Sequence, residues 1–413
     1  MGSSSGNHLY YGDNLSVLRE SIESGSVDLV YLDPPFNSNA SYNVLFRGPA
    51  GNESAAQIEA FDDTWHWTDA AEEAFGEVLR SGNGAAAEML RAMRSFLGEN
   101  DMMAYLAMMA VRLLELHRVL KPTGSLYLHC DPTASHYLKI LLDAIFGAKN
   151  FRNEVIWKRT SSHPSAKRWG PVHDVMHFVS KGKNFTWNPQ YAAYDQDYLQ
   201  TFFDMKDDDG RPWKRSDLTG AGIRRGETGQ IWRGIDITAK GRHWGNPPSV
   251  LDELDAKGRI HWPKKEGGMP RLKQYPEDLP GVPAPDVISD INTMHNLSGE
   301  RLGYPTQKPV ALLERIVAAS SNPGDVVLDP FCGCGTTVHA AQKLERQWIG
   351  IDVTHLAIGL IEKRLRDAFP KVQFTTHGVP QDIAGARDLA NRGREDKNYY
   401  FEFEKWALSL IAA

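Results

Sequence analysis

Cysteine is scarce in this sequence, with three residues in a chain of 413. Cys130, Cys332 and Cys334 are too few for a disulfide framework, which predicts a reducing, cytoplasmic environment. Apolar runs are also short, and none reaches the ~18–20 residues of a membrane-spanning helix. Residues 1–6 are polar and do not resemble a signal peptide. These absences argue against a secreted disulfide scaffold and a transmembrane protein, and the length predicts two or three domains.

The chain also lacks an excess of positive charge, since its formal net charge is −6. The charge is unevenly distributed, however. Residues 151–304 contain 23 Lys and Arg against 20 Asp and Glu, a local charge of +3, and the remainder contains 23 against 32, or −9. The same segment has seven of the eleven tryptophans. A basic, aromatic-rich segment predicts a nucleic-acid surface, although an ordinary mixed surface can have the same composition.

Short β-rich apolar runs alternate with helical patterns in both terminal parts of the chain, which predicts a doubly wound α/β sheet. Strands are predicted at 8–11, 27–32, 124–129, 154–157, 172–179, 325–328 and 347–351, and helices at 15–21, 101–120, 134–146, 309–320, 337–344 and 355–369. Residues 37–100 are predicted to be irregular. The segment from the end of the strand at 172–179 to about residue 300 is predicted to be an inserted small domain with little regular structure, because its tryptophans argue against a linker.

The most distinctive turn is Asp33-Pro34-Pro35-Phe36, which directly follows the predicted strand 27–32. Its two prolines forbid both helix and further ladder pairing, so a carboxylate, two carbonyls and an aromatic ring are held on one rigid turn. In open α/β sheets, ligands bind at this end of the strands. A ring beside acceptors for an exocyclic amino group suits an enzyme that acts on a flipped nucleobase. The alternative is a proline-rich turn without a catalytic role.

Other predicted strands also end in acids or glycines. Asp13 follows the first strand, and Phe331-x-Gly333-x-Gly335 opens a helix N-terminus where backbone can approach a ligand. This turn lacks the third glycine of the dinucleotide fingerprint. Asp352, about twenty residues further on, is placed to accept ribose hydroxyls. The alternative is a tight strand–helix turn followed by a capping acid.

Two further segments have more than one interpretation. Tyr304-Pro-Thr-Gln-Lys-Pro309 displays polar side chains between prolines, where they can hold a carboxylate or cap the following helix. Cys332 and Cys334 form a C-x-C pair, but zinc needs two more ligands, and the only other candidate pair is His129 with Cys130. We therefore expect no metal.

Four motifs in one order resemble those of the S-adenosylmethionine-dependent amino DNA methyltransferases, which modify N6 of adenine or N4 of cytosine. They are Asp33-Pro-Pro-Phe36, Tyr304-Pro-Thr-Gln-Lys-Pro309, Asp329-Pro-Phe-Cys-Gly-Cys-Gly-Thr336 and Trp348-Ile-Gly-Ile-Asp352. The catalytic motif precedes the cofactor motif, as in the permuted β-class. The resemblance implies a circularly permuted, Rossmann-like methyltransferase fold with an inserted target-recognition domain.

The implied domains are a catalytic half at 7–185, the target-recognition insertion at 186–300, a cofactor-binding half at 301–375 and a C-terminal extension at 376–413. The extension ends in an apolar, helix-like run without a cap, so we expect the natural chain to continue beyond Ala413. The implied partner is double-stranded DNA without a membrane, with a homodimer as one assembly state.

The resemblance also assigns roles to residues at the matching positions. Asp33 and the carbonyl of Pro34 accept hydrogen bonds from the target amino group, and Phe36 stacks on the base; with Pro35 they form the catalytic set. The residues implied to bind S-adenosylmethionine are Asp13, Asp33, Thr306, Gln307, Lys308, Asp329, Phe331, Cys332, Gly333, Gly335, Thr336, Thr337 and Asp352. Candidate DNA contacts are Lys158, Arg159, Arg224, Arg225, Trp232, Arg233, Arg242 and Trp244, each of which could equally be a packed surface residue.

The function expected from the sequence is site-specific methylation of N6 of a flipped adenine, with N4 of cytosine as the alternative. No cysteine nucleophile is needed, which disfavours methylation at carbon 5 of cytosine. A catalytically idle, cofactor-sensing DNA-binding subunit is a further alternative, against which the intact Asp33 and Phe36 argue. A nicotinamide dehydrogenase is disfavoured by the missing third glycine.

Overall fold

The computed structural model describes residues 6–35, 66–162, 167–265, 268–294, 298–302, 304 and 306–378, together with the backbone of two strands within 41–62. Phe36 and the predicted extension beyond residue 378 lie outside the described residues. The chain forms two compact units, a smaller one at Tyr191–Ala284 and a larger one made of Met1–Gln190 and Pro285–Ala413. The predicted insertion at 186–300 contains the whole smaller unit.

The larger unit begins with β1 (Asn7–Tyr11), α1 (Asn14–Ser21), β2 (Val27–Leu32), β3 (Ser41–Val44), β4 (Ile58–Asp62), α2 (Asp69–Arg80), α3 (Gly84–Leu97), α4 (Asp101–Val119), β5 (Leu120–Cys130), α5 (Pro132–Leu142), β6 (Phe151–Lys158) and β7 (His173–Ser180). The smaller unit contains β8 (Tyr191–Ala192), α6 (Gln196–Phe202), β9 (Met205–Lys206), β10 (Pro212–Asp217), β11 (Thr219–Ala221), β12 (Arg242–Trp244), α7 (Pro248–Ala256), β13 (Ile260–His261), β14 (Arg271–Gln274) and β15 (Val282–Pro283). The larger unit resumes with β16 (Val287–Ile288), α8 (Val310–Ser320), β17 (Val326–Asp329), α9 (Thr336–Lys343), β18 (Gln347–Asp352), α10 (His355–Ala368) and β19 (Phe374–His377).

The larger unit is built on a nine-stranded sheet with the order β16-β6-β7-β5-β2-β17-β18-β1-β19. β7 runs antiparallel to both of its neighbours, and every other neighbouring pair is parallel. β17 and β18 come late in the chain, yet they lie between β2 and β1. The predicted doubly wound, mostly parallel class is confirmed. Circular permutation is a relation to other chains and stays a prediction.

Both faces of this sheet are covered, and β2 is therefore buried along its whole length. Val30 and Leu32 pack in a cluster with residues of α4, whereas Leu29 and Tyr31 pack in a cluster with residues of α8. This alternation follows from the pleat, which points successive side chains to opposite faces. A ligand can consequently reach these strands only at their ends. None of the described helices is both long and apolar enough to cross a membrane.

Two helices, α2 and α3, correct the prediction that residues 37–100 are irregular. Ala71, Phe75 and Val78 recur at helical spacing along α2, and all three are buried. The amide of Ala86 donates to the side chain of Asn83 (3.0 Å), which caps α3. The apolar period and the cap were both present in the sequence, so these helices were predictable.

The smaller unit has more regular structure than the sequence predicted. Its largest sheet has four strands in the order β13-β14-β10-β9, and each neighbouring pair is antiparallel. Its strands are two to six residues long, which is too short for a clear alternation of apolar residues. Trp232 and Trp244 form its core with Ile237 and Leu251. These tryptophans therefore stabilise the unit from inside.

Candidate active site

Four neighbouring strands of the large sheet each have an aspartate at or just after their carboxyl end. Asp33 follows β2, Asp329 ends β17, Asp352 ends β18, and Asp13 lies two residues after β1. The sheet order β2-β17-β18-β1 places these four positions side by side. They line a cavity of about 300 Å³, together with the cationic side chains of Arg112 and Lys308 and residues that include Tyr31, Pro34, Pro35, Tyr304, Thr306, Gln307, Phe331, Cys332, Gly333, Thr336, Thr337 and Thr354. The sheet thus brings together the predicted catalytic and cofactor motifs.

Asp329 is the most deeply placed of these carboxyls, with 3% of its surface exposed. Burial raises its pKa to about 7, although hydrogen bonds from Thr337 and from the Phe331 N–H (3.0 Å) act in the opposite direction. The nearby carboxylates of Asp33 and Asp352 raise the pKa further. Asp329 therefore changes its charge near neutral pH, inside the cavity.

The glycine turn after β17 requires glycine at two positions. Gly333 and Gly335 have φ angles of 50° and 74°, in the left-handed region that disfavours other residues. A Cβ atom on Gly335 would lie 2.6 Å from Cγ1 of Ile361, and one on Gly333 would lie 3.2 Å from the ring of Tyr304. The glycine turn therefore packs closely against Ile361 of α10. α9 begins directly after the turn, and Gly333 lines the cavity.

Asp352 ties the glycine turn to the end of β18. Its Oδ2 accepts a hydrogen bond from the Gly333 N–H (2.9 Å), and its Oδ1 accepts from the N–H and the hydroxyl of Thr354 (both 2.8 Å). Burial raises the pKa of Asp352, and these hydrogen bonds oppose that effect. Asp352 also lines the cavity, where a carboxylate can accept a hydrogen bond from a hydroxyl.

Asp13 belongs to a network that the sequence did not reveal. It caps α1 by accepting from the Ser16 N–H (3.1 Å), and it pairs with Nη2 of buried Arg112 (2.9 Å). Nε of Arg112 donates to Asn14 (2.7 Å), whose amide donates to the carbonyl of Pro330 (2.9 Å). Arg112 thereby fixes the Asp13 turn against the glycine turn. The only signal in the sequence was a cation within an apolar helix.

Tyr304, Thr306, Gln307 and Lys308 of the Tyr304–Pro309 segment line the cavity. Lys308 is buried and its Nζ forms an ion pair with Oδ2 of Asp33. Both ends of the Gln307 amide are used within the loop, by the Leu302 N–H (2.9 Å) and the Glu300 carbonyl (2.8 Å). Thr306 has a left-handed φ of 61° and is exposed. Gln307, one of the predicted carboxylate ligands, therefore uses its amide to hold residues 300 and 302 in place.

A second network, of buried polar side chains, crosses three strands beside Asp33. The Tyr31 hydroxyl contacts Nδ1 of His129 (2.7 Å), and Nε2 of His129 contacts Asp174 (3.3 Å). Asp174 also pairs with Nε of Arg159 (3.1 Å), a predicted DNA contact that lies at the surface beside exposed Lys158. Burial raises the pKa of Asp174, but the hydrogen bond from His129 and the positive charges of Arg159 and Lys308 bring it below its ordinary value. A charged Asp174 favours the His129 tautomer with hydrogen on Nε2, which leaves Nδ1 to accept from Tyr31.

The two cysteines of the turn are buried thiols, and burial raises the pKa of both. Nη1 of Arg364 donates to the Cys334 carbonyl and to the Thr336 hydroxyl (both 3.1 Å). Within the described parts of the chain, no group of three or more His, Cys, Asp or Glu side chains could hold a metal ion. Cys332 and Cys334 thus fill the space beneath the glycine turn.

The predicted DNA contacts of the smaller unit are four arginines and two tryptophans, which differ in their exposure. Arg224 and Arg225 are exposed, and Arg233 is exposed but paired with Asp255 (2.7 Å). Arg242 is half-buried and donates to Thr219 (2.8 Å). The structure corrects the prediction for Trp232 and Trp244, because both rings lie in the core and have no face free to stack on a base.

Comparison with known proteins identifies relatives of this chain. A family model for DNA methylases of the N6/N4 type matches residues 27–363. The type II methyltransferase M.EcaI of Enterobacter cloacae is 33% identical over 360 residues, which cover 87% of this chain and 69% of that protein. The DNA adenine methyltransferase YhdJ of Escherichia coli K12 is 25% identical over 359 residues, or 86% of this chain and 82% of that protein. Among solved structures, the cytosine-N4-specific PvuII DNA methyltransferase is similar with a TM-score of 0.41 and 14% identity, over 90% of this chain and 95% of that one.

Proposed function

Because this chain belongs to the family of S-adenosylmethionine-dependent amino DNA methyltransferases, we propose that it methylates N6 of adenine in double-stranded DNA. The observation that supports methyl transfer is the convergence of Asp13, Asp33, Asp329 and Asp352 at four adjacent strand ends around one cavity. The preference for adenine rests on the Asp-Pro-Pro-aromatic motif and on the similarity to an adenine methyltransferase over most of the chain.

The donor set of the cavity suits the charges of S-adenosylmethionine. Four carboxylates and two cations line it, and the cofactor carries an ammonium, a sulfonium and a carboxylate group. In this assignment Asp329 faces the ammonium group, Lys308 and Thr306 take the carboxylate, and Asp352 accepts a ribose hydroxyl. The bound cofactor supplies an electrophilic methyl group.

The catalytic turn acts on the target amine. The lone pair of an exocyclic amine is delocalised into its ring, so the amine is a weak nucleophile. Asp33 and the Pro34 carbonyl accept hydrogen bonds from its two N–H groups and localise the lone pair toward the methyl donor. Asp33 also stabilises the positive charge that develops on the nitrogen and can accept the proton that the nitrogen must lose. These preorganised acceptors and the positioning of the base supply most of the rate.

Cytosine satisfies the same geometry through N4, so the base must be identified by experiment. Mass spectrometry of nucleosides from treated DNA should show N6-methyladenine. N4-methylcytosine without N6-methyladenine would overturn the preference for adenine and leave the mechanism intact. DNA binding without either product would support the idle-subunit alternative. Sequencing of the modified DNA would give the recognition site at the same time.

We expect the affinity for S-adenosylmethionine to rise as the pH increases through about 7, the pKa of Asp329. Only the ionised carboxylate attracts the ammonium group of the cofactor, so the affinity should fall about tenfold per pH unit below that pKa. Above about pH 8 the affinity should fall again, because the α-amino group loses its proton. Calorimetry on Asp329→Asn should show no rising limb, and Asp367→Asn, at an exposed ion pair, is the control.

The same titration should affect the stability of the ligand-free protein. The folded-state pKa of Asp329 lies above its ordinary value. Its contribution to stability is therefore fully present below about pH 4 and is lost as the pH rises through about 7. As the pH rises from about 4 to about 7, the melting temperature of Asp329→Asn should therefore increase relative to that of wild type. A difference that stays constant with pH would contradict the assignment.

We expect the exposed pair Arg224 and Arg225 to contact DNA phosphates. Each phosphate contact contributes about 0.9 to the slope of log affinity against log salt concentration. Charge reversal of both residues should thus weaken binding and flatten the slope by up to about 1.8. Reversal at Lys363, an exposed lysine of α10, is the control. A salt slope that is unchanged in the double variant would place the DNA elsewhere.

A further inference from the structure

Lys308 forms an ion pair with the residue to which catalysis is assigned. Its ammonium group contacts Oδ2 of Asp33, and their side chains are only 10% and 18% exposed. Attraction between unit charges is stronger in such a partly desolvated site than at the surface. While the pair is closed, one carboxylate oxygen is occupied and the negative charge of Asp33 is largely compensated. An amino group from a base then meets a weakened acceptor.

The backbone around Lys308 is held in place, so only its side chain can respond to a ligand. Gln307 clamps residues 300–302, and Glu300 in turn accepts from the Val310 N–H at the start of α8 (2.5 Å). Pro309 lies between these anchors and has a fixed φ. The ammonium group, in contrast, is at the end of a flexible stem and has three N–H donors.

Lys308 is also the cation that an anion entering the cavity would meet. Arg112, the other cation among the described residues that line the cavity, is held by Asp13 and Asn14. A carboxylate bound near Thr306 and Lys308 would therefore compete with Asp33 for the same ammonium group. Sharing of that group between two carboxylates would restore acceptor strength to Asp33.

We propose that Lys308 couples the two ligands of this enzyme: it holds Asp33 when the cofactor is absent, and the cofactor carboxylate draws it away so that Asp33 can accept the target amine. This inference rests on the proposed function and extends it. Coupling of this kind is reciprocal, so the cofactor and the target base each increase the affinity for the other. Lys308 is in this sense a positioning residue that acts through Asp33.

The test compares two ligands on the unaltered protein. S-adenosylhomocysteine carries the carboxylate, and its decarboxylated analogue differs only in lacking it. At saturation, S-adenosylhomocysteine should raise the affinity for a duplex with the target site about 5–150-fold, the usual range of such coupling. The decarboxylated analogue should leave the affinity unchanged. Fluorescence anisotropy measures both, with a duplex that lacks the site as reference.

A variant gives an independent measurement. Lys308→Met should bind the target duplex without ligand at least as tightly as wild type, and S-adenosylhomocysteine should no longer change that affinity. Lys343→Met, at a surface lysine paired with Glu314 (2.6 Å), should behave as wild type. Equal enhancement by the two ligands, or a Lys308→Met variant that keeps the enhancement, would overturn the proposal. A wild-type protein that fails to bind S-adenosylhomocysteine in calorimetry would instead overturn the proposed function.

Discussion

Replacement of Asp33 by alanine is expected to slow methyl transfer by about 10²–10³-fold, with DNA and cofactor both saturating. The estimate follows from the loss of one preorganised acceptor, which costs about 2.7–4 kcal/mol in comparable sites. Asp33 lies at the end of β2 on a turn that its prolines make rigid, so no nearby group can take its place. Single-turnover kinetics provides the measurement, because it separates the transfer step from product release.

The chain offers a matched control on the same strand. Asp28 is a buried carboxylate of β2, the strand that Asp33 follows, and it pairs with Lys121 (2.7 Å) and accepts from the Val326 N–H (2.9 Å). It does not line the cavity. Asp28→Ala should therefore lower the melting temperature and leave the single-turnover rate near that of wild type. A near-normal rate for Asp33→Ala, or an equal loss in both variants, would refute the role of Asp33.

Replacement of Asp352 by alanine is expected to weaken the binding of S-adenosylmethionine by about 10–150-fold. Hydrogen bonds to charged groups contribute about 1.5–3 kcal/mol, and this variant loses the bond assigned to a ribose hydroxyl. It also releases the Gly333 N–H, which Asp352 holds at 2.9 Å. The affinity is measured by calorimetry, together with the melting temperature of each variant.

Thr354→Val tests the support that Thr354 gives to the Asp352 carboxylate. It removes the hydroxyl that donates to Asp352 (2.8 Å) but keeps the carboxylate and its bond to Gly333. We expect it to bind the cofactor more weakly than wild type by less than tenfold, as for one ordinary hydrogen bond. An unchanged affinity in Asp352→Ala would remove this residue from the site.

The sequence was informative where chemistry depends on neighbours along the chain. The motifs at Asp33, Asp329–Gly335 and Asp352 each combine a strand end with a short turn, so local patterns sufficed to predict them. The family that they indicated is confirmed, and so is the sheet. The helix predicted at 101–120 agrees with α4. The side chain of Asn100 caps this helix by accepting from the Met103 N–H.

The sequence was uninformative where partners are distant along the chain. Arg112 and Asn14 are 98 positions apart, and Lys308 and Asp33 are 275 apart. No periodicity or spacing links such residues, and only the order of the strands brings them together. The burial of Trp232 and Trp244 was missed for a related reason. A tryptophan in a segment of short strands can belong to a core or to a surface, and composition alone does not distinguish the two.

The strand order also determines how this protein can fold. β1 and β2 lie near the start of the chain, but the two strands that separate them end at residue 352. During synthesis, β2 therefore keeps an unpaired edge until β17 emerges, and such an edge can pair with another chain. Pairing across such long sequence separations slows folding and prolongs exposure of this edge. The catalytic turn is thus made early, but the cavity around it cannot close until the chain has been synthesised as far as Thr354, the last residue that lines it.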